Sequence, residues 1–362
     1  MLNMNVTPLT RRRLENFRAN KRGYYSLWIF LAMFTISLFA EFIANDKPIV
    51  MWHEGSFYFP IFLTYTEHEL GGEFKTEAKY EDPYVAKMVA DTGGWMLWPP
   101  IRYGYDTVDW YIEGAAPAPP SAQHWLGTDD GARDVVARLL YGFRLSVSFG
   151  LALTVIASII GITVGAVQGY YGGLVDLFGQ RVIEIWAGLP MLFLLIILSS
   201  IVEPSALWLL LLLVLFSWMA LVAVVRAEFL RARNFEFVRA ARSLGVSDRV
   251  IMVRHVLPNA MVATLTYLPF ILNASITTLT SLDFLGFGLP LDSPSFGRLL
   301  SSAKSNLHAP WIGISTFLTL STMLILLIFI GEAVRDALDP RKAIASSEPQ
   351  TPRTDTSLPT TA

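Results

Sequence analysis

Long apolar runs alternate with short charged segments along this chain. Six runs can cross a hydrocarbon core of about 30 Å, which takes about 20 helical residues. They lie near 24–44, 143–168, 183–202, 205–225, 260–282 and 309–331. Charge is nearly absent from them: Arg144 opens the second run, and Glu41, Glu184 and Asp283 stand at the ends of others. The pattern predicts an all-α polytopic membrane protein with six transmembrane helices. In the second run Gly161, Gly165 and Gly169 recur every four residues, in register with Ala157. That spacing aligns small residues on one face and predicts close packing of another helix there.

The charged segments orient the runs. Arg11, Arg12, Arg13, Arg18, Lys21 and Arg22 precede the first. Arg226, Arg231, Arg233, Arg239, Arg242, Arg249 and Arg254 follow the fourth, and Arg335, Arg341, Lys342 and Arg353 follow the last. Basic residues favour the cytoplasmic side, so this loop and both termini are expected there. Residues 45–141 carry 15 Asp+Glu against 7 Lys+Arg and are expected outside. The basic start resembles a signal peptide. The first run is long, however, and Ala40-Glu41-Phe42 makes a poor cleavage site, so it reads as an uncleaved anchor. A chain that is 53% hydrophobic, with mean hydropathy +0.46, is no ordinary soluble protein. It has no cysteine, so the external segment must hold together by packing.

Within that segment, residues 57–63 read as a strand, and 115–120, with three prolines in six residues, as a stiff extended linker. Asp129, Asp130 and Asp134 offer hard-cation oxygens, but their spacing fits no EF-hand loop. Thr128 or Asp129 reads instead as the cap of the next helix, and no metal is expected.

The segment 235–259 carries the most chemistry. Residues 235–244 predict a short helix, ended by Gly245 in the left-handed C′ position. Ser247 or Asp248 can cap a second helix from Arg249, and Pro258 marks the entry to the fifth run. Glu236 opens the first helix, Ala240 and Ala241 let another surface approach it, and Arg239 and Arg242 supply charge. The product is either a docking platform for another protein or a connector that only sets topology. His255 reads as a residue that packs or bonds locally. The chain contains no Gly-Lys dipeptide, hence no Walker A phosphate loop. Any ATP-derived energy must come from a partner.

These residues carry a resemblance. Ala240-Ala241, three residues, Gly245, nine residues, His255, one residue and Leu257-Pro258 keep the spacing of the EAA loop of ABC importer permeases. Arg239 stands where that pattern has Glu, and His255 where it has Ile. The stretch His124-Trp125-Leu126-Gly127-Thr128-Asp129-Asp130-Gly131, with Tyr141-Gly142-Phe143-Arg144-Leu145-Ser146, is similar to the pre-membrane segment of dipeptide/oligopeptide permeases. So are Leu282-Asp283-Phe284-Leu285-Gly286-Phe287-Gly288, Pro294-Ser295-Phe296-Gly297 and the ending Arg335-Asp336-Ala337-Leu338-Asp339-Pro340-Arg341. The insertion around Gly94-Trp95-Met96-Leu97-Trp98-Pro99-Pro100 resembles the microcin C/peptide (Yej-type) subgroup.

The resemblance implies the type I ABC importer permease fold with a large periplasmic insertion after the first helix. Its parts would be a cytoplasmic start (1–23), the first helix (24–44), a periplasmic insertion and pre-membrane segment (45–141), a five-helix core (142–334) with a cytoplasmic coupling loop (227–259), and a partly disordered tail (335–362). It further implies a permease, not an enzyme, in the bacterial inner membrane. Its partners would be a second homologous permease, two ABC ATPase domains that hold ATP and Mg, a periplasmic peptide-binding protein and membrane lipid. No cofactor on this chain and no nucleic acid are implied. The cargo would be peptides or peptide-like compounds of the microcin C type. Glu236, Arg239, Ala240, Ala241, Arg242, Gly245, His255, Leu257 and Pro258 would couple the ATPase. The alternatives are an ion-coupled secondary transporter or channel, which would need ionisable groups inside the spans, and a membrane-embedded enzyme, which would need clustered catalytic groups.

Overall fold

The computed structural model describes residues 8–112, 114–199 and 201–339. The expected disorder after Ser346, and Arg341, Lys342 and Arg353, lie outside the described residues. The membrane part comprises α1 (Pro8–Ala19), α2 (Lys21–Leu38) and α3 (Ala40–Ile43), then, after the insertion, a bundle around one long helix. The insertion holds β1 (Val50–His53), β2 (Ser56–Tyr58), α4 (Pro83–Asp91) and β3 (Trp95–Leu97). The long helix is α5 (Val135–Tyr171), followed by α6 (Gly173–Ala187), α7 (Met191–Ser199), α8 (Ala206–Ser217) and α9 (Met219–Ala232). Next come α10 (Glu236–Ser243), α11 (Asp248–Val250), a π-helical stretch (Ile251–Val256), α12 (Leu257–Phe284), α13 (Phe296–Ser305) and α14 (Pro310–Leu338).

Among the described residues four helices are long and apolar enough to cross a membrane: Val135–Tyr171, Ala206–Ala232, Asp248–Phe284 and Pro310–Leu338. Each outruns its apolar run, because the helix continues into residues that favour it beyond the hydrocarbon. The run at 183–202 is not one straight span. α6 starts already at Gly173, and α6 and α7 meet at 64°. Pro190, at the break, lacks an N–H and disfavours helix at Leu189. α2 is shorter, 18 residues beginning Lys21-Arg22, and bends at Phe39 into α3.

The bundle is tied together on α5. A Cβ on Gly161, Gly165 or Gly169 would lie 2.4, 2.8 or 2.5 Å from the backbone oxygens of Trp218, Val222 and Arg226. Those three also recur every four residues, so one ridge of α9 lies along the glycine face of α5. Only glycine permits that approach. On other faces Val147 of α5, Ile276 of α12 and Ile312 and Met323 of α14 share one fully buried cluster.

The insertion is a three-stranded antiparallel sheet, order β2-β1-β3, with Trp52 opposite Phe57 and Trp95. Met51, Leu70, Tyr80, Val85 and Val89 form its core. The expected strand at 57–63 stops at Tyr58. Beyond it the N–H groups of Phe62 and Leu63 both donate to Phe59 O (3.0 and 3.0 Å), a tight turn around Pro60. The proline-rich stretch is not a free spacer: Ala118 N–H donates to Thr128 Oγ1 (2.8 Å), and Thr128 N–H returns a bond to Ala118 O (2.9 Å).

The acidic cluster is structural, and the cap differs from expectation. Asp134 Oδ1, not Thr128 or Asp129, caps α5 by accepting from Ala137 N–H (2.8 Å). Helix α5 therefore begins at Val135, ahead of the apolar run that opens at Phe143. Asp129 closes its own loop, accepting from Gly131 and Arg133 N–H, and faces Arg138 at 3.3 Å. Among the described residues no group of three or more His, Asp and Glu has metal-binding geometry.

Candidate functional site

α10 hangs from the bundle on two turns. The first is closed by Arg239, whose Nε and Nη2 donate to Asn234 O at 3.2 and 3.0 Å. That local bond occupies the guanidinium where the EAA pattern has a carboxylate. The second turn is a Schellman pair: Val246 N–H donates to Ala241 O (3.1 Å) and Gly245 N–H to Arg242 O (3.0 Å). Gly245 has φ +78°, and a Cβ added to it would meet nothing within 4 Å, so its need for glycine is conformational rather than steric.

The helix has two faces. Val238, fully buried, and Ala241, half-buried, look into a cluster with Tyr170, Val225, Phe229, Ile251 and Val256. Phe237, Ala240 and Leu244 look outward, with Leu244 83% exposed. Of the two alanines expected to face a partner, Ala240 is exposed and Ala241 packs inward. Sequence reasoning also passed over Phe237 and Leu244. Their signal was present, since 237, 240 and 244 follow the i, i+3, i+7 spacing of one helix face.

Arg242 is also held from within the chain. Its Nη2 donates to Tyr170 Oη (3.0 Å), its guanidinium lies over the Tyr170 ring at 5.4 Å, and Asp248 stands 3.8 Å away. Tyr170 Oη donates in turn to Asp248 Oδ1 (2.6 Å). One tyrosine at the end of α5 thus holds both α10 and the start of the next helical segment. A neighbouring ion pair, Arg226 on α9 with Asp176 on α6, joins two more helices at this end of the bundle (Nη2–Oδ2 2.6 Å).

The second predicted helix is not separate. Ser247 sits at its start without a side-chain cap bond, and the backbone runs on from Asp248 to Phe284. The π-helical stretch at Ile251–Val256 precedes Pro258, which cannot donate to the carbonyl one turn back. A local π turn absorbs that missing bond without breaking the helix. His255, Leu257 and Pro258 thus lie on the continuous rod; His255 O accepts from Asn259 Nδ2 (2.9 Å). α9 runs to Ala232, so only residues 233–235 separate it from α10. Chemically the arrangement performs no covalent step. It is a small amphipathic helix, held through Tyr170 and the buried Val238, that can pass a push into α5 and α12.

Known proteins resemble this chain at the level of family, sequence and structure. Residues 157–344 match the family described as "Binding-protein-dependent transport system inner membrane component". The inner membrane ABC transporter permease protein YejE of Escherichia coli is 59% identical, over 94% of this chain and 99% of its own. The peptidoglycan transport system permease protein YejE of Agrobacterium fabrum is 53% identical over 93% and 94%. The oligopeptide transport system permease protein OppC of Mycobacterium bovis is 36% identical over 70% and 88%. Among solved structures, a chain of the inward-facing methionine ABC transporter MetNI superposes with TM-score 0.47 at 14% identity, covering 56% of this chain and 96% of that one. The chain belongs to the family of binding-protein-dependent transport system inner membrane components, and is a membrane permease subunit of an ABC transporter rather than an enzyme.

Proposed function

We propose that this permease carries peptides or peptide-like compounds, of the microcin C type, inward across the bacterial inner membrane. It works with a second homologous permease, two ATPase domains that hold ATP and Mg, and a periplasmic peptide-binding protein. Residues 233–247 and both termini face the cytoplasm, and the insertion faces the periplasm. α10 takes up the ATPase movement on its Phe237–Ala240–Leu244 face, and the Tyr170–Arg242–Asp248 contacts pass it to α5 and α12. The observation that carries this reading is an exposed apolar face on an arginine-rich projection, pinned from behind to two spanning helices. Large apolar side chains exposed on such a projection mark a protein contact.

A peptide cargo is favoured by the relatives named for oligopeptide and peptidoglycan transport, and peptidoglycan-derived peptides are the second cargo to try. An ion-coupled carrier is disfavoured by the bundle itself. Asp176 is paired with Arg226, and Asp283 accepts from Leu289 N–H (2.6 Å). Neither belongs to a chain of carboxylates crossing the membrane. The test reconstitutes the permease pair with its ATPases in vesicles. Loaded binding protein should stimulate ATP hydrolysis and uptake together. Uptake driven by a proton or sodium gradient without ATP would overturn the proposal.

A further inference from the structure

Residues 55–66, Gly-Ser-Phe-Tyr-Phe-Pro-Ile-Phe-Leu-Thr-Tyr-Thr, carry no charge, although they sit in the acidic insertion. Five of the twelve are Phe or Tyr. A soluble turn of this length would ordinarily be polar. Here the turn after β2 instead presents Phe59, Phe62 and Leu63 outward, with Phe62 70% and Leu63 57% exposed.

Their position supplies the reason. α2 has 18 residues and rises about 27 Å; its basic end, Lys21-Arg22, lies away from the insertion, and its apolar far end approaches the other side of a hydrocarbon core of about 30 Å. Just beyond that end the Phe39 ring packs tilted against Phe42 (centroids 6.2 Å), and Phe42 meets Phe62 edge-on (5.8 Å). Glu41, next to Phe42, pairs with Arg144 of α5 at 2.8 Å, and such a half-exposed ion pair marks the polar boundary. Ile36, Leu38 and Phe39 are exposed on α2 and at its end. One apolar strip therefore runs off α2, through the packed rings, onto the turn of the insertion.

We propose that the turn at 59–63 is a lipid anchor: Phe62 and Leu63 enter the headgroup–acyl boundary of the leaflet on the insertion's side and hold the insertion against the membrane. Rings of this kind settle at that depth because an apolar body leaves water while the backbone stays hydrated. Lipid is the occupant because the strip is continuous with the exposed face of α2, and because charge is excluded from the whole twelve-residue stretch. A protein partner would ordinarily be matched by a polar rim.

The chain's lack of cysteine makes the test direct. Phe62→Cys, Leu63→Cys and Phe74→Cys are each labelled with an environment-sensitive fluorophore in the full-length chain, reconstituted in phosphatidylcholine–phosphatidylglycerol vesicles. Phe74 is 61% exposed on the same insertion and serves as the aqueous reference. Labels at 62 and 63 should emit to the blue of the label at 74, be quenched by acyl-brominated lipid, and resist iodide. Iodide quenching equal to that at 74 would place the turn in water and overturn the proposal. A blue-shifted label that neither quencher reaches would place it against protein, and would equally overturn it.

Discussion

At the residue scale the prime test is Gly245. With φ +78° and open space around it, a β-branched residue meets strain of about 1–2 kcal/mol, whereas Asn tolerates the left-handed region. Gly245→Val should therefore lose substrate-stimulated ATP hydrolysis in the assembled complex, and Gly245→Asn should keep most of it. Equal coupling in both variants would reduce the turn to a connector. Gly165 poses the opposite problem, because its neighbour is backbone. Gly165→Leu should cost about 1–3 kcal/mol or more in overpacking, read as a lower unfolding temperature in detergent. A third residue ties the insertion to α5. His124, buried, donates from Nδ1 to Asp134 (2.8 Å) and from Nε2 to Asp109 (3.1 Å), with Tyr103 stacked on it. Both bonds together require the imidazolium. Burial alone would lower its pKa, but the two carboxylates outweigh burial and raise it above 6.5. Glu81, itself pushed up to about 7 by burial and by Asp46 and Asp109, and Arg102 also bear on this site. A raised pKa means that the clamp's stability is fully present below pH 6.5 and is lost as pH rises through the folded-state value. Thermal stability should fall as pH rises through that window in the parent, and His124→Gln should remove that part of the pH dependence. Gly245 was legible in the sequence because turn chemistry is local. His124 was not, because its partners lie 15 and 10 residues away and only the folded insertion brings them together.

Elements were legible wherever one periodicity ruled. The runs that became α5, α8–α9, α12 and α14 announced themselves by apolar length, and the glycine ladder by its spacing of four. What failed were boundaries and breaks. Helix does not stop where hydrophobicity stops: Ala227, Glu228, Leu230, Arg231 and Ala232 favour helix, so α9 carries its arginines out of the bilayer. The Pro190 break was hidden inside an unbroken apolar run. α10 was legible as a helix but not as an oriented one, since choosing between Ala240 and Ala241 needed the buried Val238 as reference. The oriented helix sharpens the coupling test. Leu244→Asp and Ala240→Glu should insert and fold normally while weakening ATPase copurification. A contact residue of this class contributes about 2 kcal/mol or more, roughly 30-fold in affinity. Ala241→Glu should instead destabilise the loop itself, because it places a charge against Val225 and Phe229. Unchanged copurification in both outward-face variants would mean that the ATPase grips another surface.

At the scale of the whole molecule, sidedness and the role of the insertion decide between a docking module and a spacer. Phe74→Cys and Leu244→Cys, both on exposed side chains, should label from opposite sides of the membrane with an impermeant reagent, position 74 from outside. The architecture also shows how to remove the insertion cleanly. Deleting its full length would destroy the Asp109–His124 clamp and the Ile101 N–H bond to Ile43 O (3.0 Å) that seats the insertion on α3. β1 and β3, however, are antiparallel neighbours with Trp52 opposite Trp95. Excising residues 55–92 leaves His53-Glu54-Gly93-Gly94 between Trp52 and Trp95, a glycine-containing connection of a length that closes hairpins. That cut removes β2, α4 and the turn at 59–63, with its ring contact to Phe42, but spares both the clamp and the Ile101 bond. The permease pair should still assemble with its ATPases, and ATP hydrolysis without substrate should persist. Uptake and stimulation by loaded binding protein should both fall, because the acidic, aromatic outer surface that would receive that protein is gone. If the shortened chain assembles and transports as the parent does, the insertion contributes neither docking nor entry, and selectivity must be sought wholly within the bundle and its partners.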